Sequence, residues 1–247
     1  MTQGYLAEIF WSLQGEGKFI GVSQIFVRTS GCPLRCSWCD TPGALERTAE
    51  CQVRLPNGRV STFANPIHSN QIESWLREFR VEKPEIHSVS LTGGEPLIQP
   101  KFCLEVAQSA KRLGLMVYLE TAGIHDEALN ILLPWVDIIA MDIKLPSSAD
   151  TGEYWEAHRK FLKSGREKDL FVKMIVTQTT EDMDVMKGIR LVAETAPEVP
   201  VFFQPVTASG KIQAPSASQL TRWKGWAAEH LNVVFVTPQV HRLIGLP

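Results

Sequence analysis

Eight short apolar runs, separated by stretches with helical spacing, limit this chain's possible folds more than any other feature. The runs occupy residues 6–10, 24–28, 88–92, 116–121, 138–142, 171–176, 201–206 and 233–237. Most are rich in Val, Ile and Phe without strict alternation, as befits strands covered on both faces. Between them, Pro100 opens a helix in which Phe102, Val106, Ala110 and Leu113 recur on one face. Thr180 before Glu181 and Asp182 reads as an N-cap with an acidic first turn. Ser218 begins a further helix carrying Leu220, Trp223 and Ala227. Such alternation specifies βαβ units and a mainly parallel sheet. With 247 residues, 44% of them hydrophobic, the chain suits one α/β domain over 1–247 with a sizeable core.

One stretch breaks the rhythm. Between residues 51 and 68 the sequence alternates around Asn57-Gly58, a β-hairpin signal. It reads as a small insertion at the edge of the barrel. Polar side chains gather elsewhere: Arg28, Thr92, Glu120, Thr121, Asp142, Lys144, Gln204, Gln239 and His241 fall at or just past the C-terminal ends of predicted strands. In parallel barrels that rim carries the active site.

Charge and cysteine content exclude several function classes. A net charge of −2 gives no electrostatic footprint for nucleic acid or an anionic membrane surface. No apolar run approaches a membrane span, and the start of the chain lacks a signal-peptide pattern, so a cytoplasmic location is expected. Five cysteines, three of them within eight residues, do not form an even disulfide framework. Cys103 sits in a helical pattern as a small buried hydrophobe, and Cys51 has no evident role.

The clustered three are Cys32, Cys36 and Cys39, spaced C-x3-C-x2-C. Thiolates suit iron–sulfur clusters or zinc. A structural zinc site closes with four ligands, and no fourth follows at finger spacing. Three thiolates on a [4Fe–4S] cluster instead leave one iron open for a ligand.

With an aromatic residue, Trp38, directly before its last cysteine, the triplet resembles the signature of the radical S-adenosylmethionine (SAM) superfamily. That superfamily's second signature is matched by Leu91-Thr92-Gly93-Gly94-Glu95-Pro96, which follows a predicted strand. The resemblance implies a partial (β/α) barrel, a [4Fe–4S] cluster and SAM bound to the open iron. It narrows through Phe10-Trp11-Ser12-Leu13-Gln14-Gly15-Glu16-Gly17, Gly21, Phe26-Val27-Arg28-Thr29-Ser30-Gly31-Cys32 and Cys39-Asp40-Thr41. Glu120-Thr121-Ala122-Gly123, Lys144, Gln204-Pro205 and the tail from Gln239 to Pro247 extend it to the end of the chain. These segments are similar to the 7-carboxy-7-deazaguanine synthase family of 7-deazapurine and queuosine biosynthesis. That family contracts 6-carboxy-5,6,7,8-tetrahydropterin with loss of ammonia.

Carried onto this sequence, the resemblance implies that Leu13, Gln14, Gly15, Arg28, Thr92 and the terminal carboxylate of Pro247 contact the pterin. Arg28 would pair with the substrate carboxylate. Ser37, Trp38, Cys39, Gly94, Asp142, Ile143, Lys144 and Gln204 would hold SAM, with Trp38 beside the adenine. Thr41 would ligate a Mg²⁺ bridging to the substrate. An electron donor such as flavodoxin or ferredoxin and a homodimer are implied as well, with neither nucleic acid nor membrane as partner. One departure stands out: Asp142-Ile143-Lys144 replaces a Ser-Pro-Lys common among relatives. Two other readings of the triplet remain open, a glycyl-radical activase and a non-catalytic iron–sulfur or zinc module.

Overall fold

Each of the eight apolar runs becomes a strand in the computed structural model of the protein, which describes residues 2–246. The chain opens with β1 (Gln3–Gly4), β2 (Leu6–Leu13) and β3 (Ser23–Thr29). After the cysteine loop come β4 (Glu50–Arg54), β5 (Val60–Ala64) and β6 (Ile67–His68). Helices and strands then alternate: α1 (Ser69–Glu82), β7 (Ser88–Gly93), α2 (Pro100–Arg112), β8 (Met116–Thr121), α3 (Asp126–Leu132) and β9 (Ile138–Asp142). The remainder is α4 (Pro146–Ala149), α5 (Trp155–Gly165), β10 (Asp169–Val176), α6 (Asp182–Thr195), β11 (Val201–Pro205), α7 (Ala217–Ala228), β12 (Val234–Val236) and α8 (Val240–Ile244).

Among the described residues, ten strands form one sheet in the order β12-β11-β10-β9-β8-β7-β3-β2-β4-β5. From β3 to β12 all neighbours run parallel. The two edge strands are not paired with each other, so the barrel is open. β1 and β6 form a separate antiparallel ribbon.

The alternation expected from the sequence fails at its start. β2 turns directly into an antiparallel β3 with no intervening α-helix. The Gln14 backbone closes this connection: its N–H donates to the Val22 carbonyl at 2.8 Å, and its carbonyl accepts from Gly21 N–H at 2.7 Å. Two helix starts also shift. Glu181 caps α6, while the Thr180 hydroxyl accepts from Thr177 N–H at 2.8 Å. Ser216 caps α7 and accepts from Gln219 N–H. Both hydroxyl-rich stretches offered several capping groups, and the packing of each helix chose between them.

The hairpin expected around Asn57-Gly58 is present, with Gly58 at φ +89 and its N–H donating to Leu55 O. It is part of the main sheet, because β4 pairs in parallel with β2. Cys51 and Val53 of β4 are buried in the principal core, which gives Cys51 a packing role. Cys103 is buried in α2, as its helical neighbours foretold.

The two sheet faces bury different chemistry. The outer face packs under the helices in one large apolar core. A second, smaller cluster of Tyr118, Ile138, Ala140, Phe171 and Phe202, with Phe19 against it, fills the inside of the barrel. Two residues further along the same strands, side chains return to this face. Tyr118 gives way to Glu120, Ala140 to Asp142, Phe171 to Lys173, and Phe202 to Gln204. The interior is therefore aromatic at one end and charged towards the C-terminal rim.

Candidate active site

The charged rim opens into a cavity of about 1230 Å³, lined by Glu120, Asp142, Lys173 and Gln204 from the barrel and by most of the cysteine loop. That exceeds the usual range for one small ligand, which is about 300–1,000 Å³.

Cys32, Cys36 and Cys39 are free, half-buried and face this one space. Burial pushes the thiol pKa values of Cys32 and Cys36 up. Backbone contacts fix the loop. Gly31 N–H donates to Ala44 O at 2.8 Å, Cys32 N–H to Leu45 O at 2.9 Å, and Ser37 N–H to Ala149 O at 2.9 Å. Trp38 Nε1 donates to the Ser148 hydroxyl at 3.1 Å, and that hydroxyl donates to Ile175 O at 2.7 Å. Gly94 presses against the same loop: a Cβ there would sit 2.2 Å from Gly31 O and 2.6 Å from Ala44 O. The glycine pair thus locks the cysteine loop onto the end of β7. Glu95 is used internally, accepting from Leu97 N–H, Ala122 N–H and the Thr121 hydroxyl.

The barrel floor is a chain of opposite charges. Lys144 Nζ lies 2.8 Å from Asp142 Oδ2 and 4.7 Å from the centre of the Trp38 ring. Burial acts to lower the Lys144 pKa, but Asp142 and the nearby Cys36 outweigh it and hold it above its ordinary value. Lys173, only 2% exposed, meets Glu16 at 2.6 Å, Glu120 at 2.5 Å and Asp142 at 3.3 Å. Burial alone would raise the Glu16 carboxyl, yet Lys173 with the Gln239 and Gln204 amides holds it down at about 2. Gln204 lines the cavity, and its Oε1 is buried with no hydrogen-bond partner.

Across the other wall, Gln52, Glu8, Arg28 and Thr92 form one register row over β4, β2, β3 and β7. Arg28 Nε donates to Glu8 Oε1 at 2.8 Å, and Thr92 Oγ1 donates to Glu120 Oε2 at 3.1 Å. Gln14 is buried and committed internally: its amide donates to Gln24 Oε1 at 3.1 Å and accepts from Glu16 N–H at 3.0 Å. Gly15 lets α8 dock. A Cβ there would fall 2.1 Å from His241 Nδ1, and Gly15 O accepts from Val240 N–H at 2.9 Å.

Leu13, Gln14, Gly15, Arg28, Ser37, Trp38, Cys39, Thr41, Thr92, Gly94, Asp142, Lys144 and Gln204 all line this cavity. Ile143 does not. It is buried in the outer core, and its N–H donates to Lys173 O at 2.9 Å, so only its carbonyl remains to offer a ligand. Pro247 lies outside the described residues, although Leu246 lines the cavity. Thr41 Oγ1 lies 3.8 Å from Cys39 Sγ. Nearby, ligand atoms of Glu16, Asp40 and His241 come within 4.8 Å of one another. There the Gln239 amide bridges Glu16 Oε1 and Asp40 Oδ2, at 3.0 and 3.1 Å.

Sequence reading missed the centre of the floor. Lys173 sits in a run otherwise made of Phe, Val, Met and Ile, and a lysine in such a strand signals a paired interior charge. Glu8 and Arg54 carry no motif and stand out only once the strands are in register.

The residues present fit a three-cysteine cluster with a ligand on its open iron. All three thiols share one cavity, while the two remaining cysteines are buried in the core. A family model described as "Radical SAM superfamily" matches residues 26–187. A 7-carboxy-7-deazaguanine synthase from Geobacter sulfurreducens is 34% identical over 243 residues, covering 97% of this chain and 96% of the relative. One from Methanocaldococcus jannaschii is 31% identical over 98% of this chain and 99% of its own. Among solved structures, QueE from Escherichia coli superposes with a TM-score of 0.60 at 20% identity, over 97% of this chain and 95% of that one. A radical SAM methyltransferase from Sphaerobacter thermophilus gives 0.62 at 13% identity, over 88% and 66%.

Proposed function

This chain belongs to the radical SAM superfamily and, within it, to the 7-carboxy-7-deazaguanine synthases, and from that premise we propose its substrate and the roles of its residues. The substrate is 6-carboxy-5,6,7,8-tetrahydropterin and the products are 7-carboxy-7-deazaguanine and ammonia. Product plus ammonia equals substrate atom for atom, so the conversion is redox-neutral and suits a cofactor that is regenerated. One observation carries the reading. The cysteine loop, the Gly93-Gly94 turn and Arg28 line a single cavity large enough for a cofactor and a substrate together.

Cys32, Cys36 and Cys39 would hold the [4Fe–4S] cluster. When bound, cluster and SAM would supply the 5′-deoxyadenosyl radical chemistry needed for hydrogen abstraction at C6 of the pterin. The protein contributes orientation and exclusion of water. Ser37, Trp38, Cys39, Gly94, Asp142, the Ile143 carbonyl, Lys144 and Gln204 form the SAM side. Leu13, Gln14, Gly15, Arg28 and Thr92 form the substrate side. Gln14 contributes chiefly by holding its loop, since its amide is already engaged. The free guanidinium nitrogens of Arg28 match a carboxylate.

Thr41 offers a hydroxyl to Mg²⁺, a hard cation that prefers oxygen ligands. We place the enzyme in the cytoplasm on the queuosine and 7-deazapurine route, as a homodimer served by flavodoxin or ferredoxin. No described helix is long and apolar enough to cross a membrane. The test is anaerobic turnover of reconstituted enzyme with SAM and carboxytetrahydropterin. Formation of 7-carboxy-7-deazaguanine supports the reading. SAM cleavage without that product would point to an activase, and zinc in place of iron would point to a structural module.

A further inference from the structure

Arg28 is not alone at the carboxylate end of the cavity. Its Nε is taken by Glu8 Oε1 at 2.8 Å, and the other oxygen of Glu8 accepts from an Nη of Arg54. Both guanidinium groups lie over the Phe10 ring, at 5.5 Å for Arg28 and 5.4 Å for Arg54. Phe10 is itself stacked on Phe26 at 5.1 Å, so the platform is rigid. Arg54 sits on β4, opposite Phe10 in the register with β2. It belongs to the hairpin insertion, and it does not line the cavity.

The charges explain why such a residue is needed. Glu8 fixes Arg28 side-on and leaves its two terminal nitrogens for a ligand. A carboxylate 2.8 Å from Arg28 would also cancel much of its pull on an anion. Arg54 takes up the second oxygen of Glu8, and two guanidiniums against one carboxylate leave one net positive charge.

We propose that Arg54, supplied by the β4–β5 hairpin, is a positioning residue for an anionic substrate group: it shares the charge of Glu8 so that Arg28 stays both oriented and electropositive. The inference rests on the reading that Arg28 receives the substrate carboxylate, and it gives the insertion a part in substrate selection.

The experiment measures binding of 6-carboxypterin and of 6-methylpterin to SAM-loaded holoenzyme by calorimetry, beside KM and kcat for carboxytetrahydropterin. Arg54→Ala weakens 6-carboxypterin binding and raises KM roughly five- to tenfold, the scale of one partly screened charge, with kcat held. Binding of 6-methylpterin, which lacks the carboxylate, stays within about twofold, and Arg54→Lys restores most of the loss. In a Glu8→Gln background the Arg54→Ala effect shrinks to about twofold or less, because no carboxylate charge is left to share. Equal losses for both pterins, an undiminished loss in the Glu8→Gln background, or no loss at all would each overturn the role of Arg54. Arg28→Ala separates the two readings. If it leaves 6-carboxypterin binding unchanged, the carboxylate assignment falls. If it weakens binding while Arg54→Ala does not, only the role of Arg54 falls.

Discussion

The backbone N–H of Lys144 donates to Nε2 of His158 at 3.1 Å. The other ring nitrogen, Nδ1, lies 3.0 Å from the carbonyl of Gly123, which can only accept. The imidazole is therefore neutral with its proton on Nδ1, and it ties the ends of β8 and β9 together beneath the proposed SAM site. His158 is fully buried, and burial, opposed only in part by its Gly123 bond, holds its pKa down at about 4.

That contact predicts a pH limb in stability. Unfolded, His158 takes up a proton near its ordinary 6.5, while folded it resists protonation to about 4. The stability it supports is complete above pH 6.5 and is lost as pH falls towards 4, by about 3 kcal/mol in all. Denaturant titrations of wild type and His158→Gln between pH 7 and 4.5 should show the wild-type advantage shrinking by about 2–3 kcal/mol. A difference independent of pH would reject a buried neutral histidine.

Lys173 is the only cation that touches Glu16, Glu120 and Asp142 together among the described residues. Lys173→Met should leave Glu16 and Glu120 without a counterion and Asp142 with Lys144 alone, at a cost of about 3–5 kcal/mol at neutral pH. With Lys173 gone, burial pushes the Glu16 carboxyl up again, so the penalty grows with pH and eases under acid. Equilibrium unfolding at pH 7.5 and pH 5 checks this. A larger penalty at pH 5 would contradict it.

Gly94 can carry no side chain without moving backbone atoms of the cysteine loop. Gly94→Ala should displace that loop, at an overpacking cost of about 1–3 kcal/mol, and lower iron and sulfide per chain after reconstitution. Circular dichroism should remain that of the wild type, because the clash is confined to the end of β7. Full iron content in the variant would show that the turn is not needed to seat the loop.

Thr41→Ala should weaken the Mg²⁺ dependence of turnover by about tenfold in the metal concentration needed, and Thr41→Ser should keep it. The readout is a Mg²⁺ titration at fixed SAM and substrate. An unaltered titration would remove Thr41 as a metal ligand and turn attention to Glu16, Asp40 and His241.

Much of this site was legible before folding because its parts are local. Cys32, Cys36 and Cys39 lie on one loop, and Gly93-Gly94 on one turn. Strand identity follows from short apolar runs, and the rim residues follow from where those runs end. Ile143 could not be divided by sequence into its parts: its side chain is buried in the outer core, which leaves only its carbonyl for a ligand. For Gln14, sequence did not show that its amide is engaged by Gln24 and the Glu16 backbone.

Tertiary structure alone decided the charge network. Glu8, Arg28 and Arg54 are far apart in sequence, and they meet only because β2 lies between an antiparallel β3 and a parallel β4. Lys173 reaches Glu16 across 157 positions and Glu120 across 53. Pattern and spacing determine which segments form strands, helices and ligand loops, since those preferences act over a few residues. Which charges become neighbours depends on strand order and register, and these are set by packing of the whole sheet.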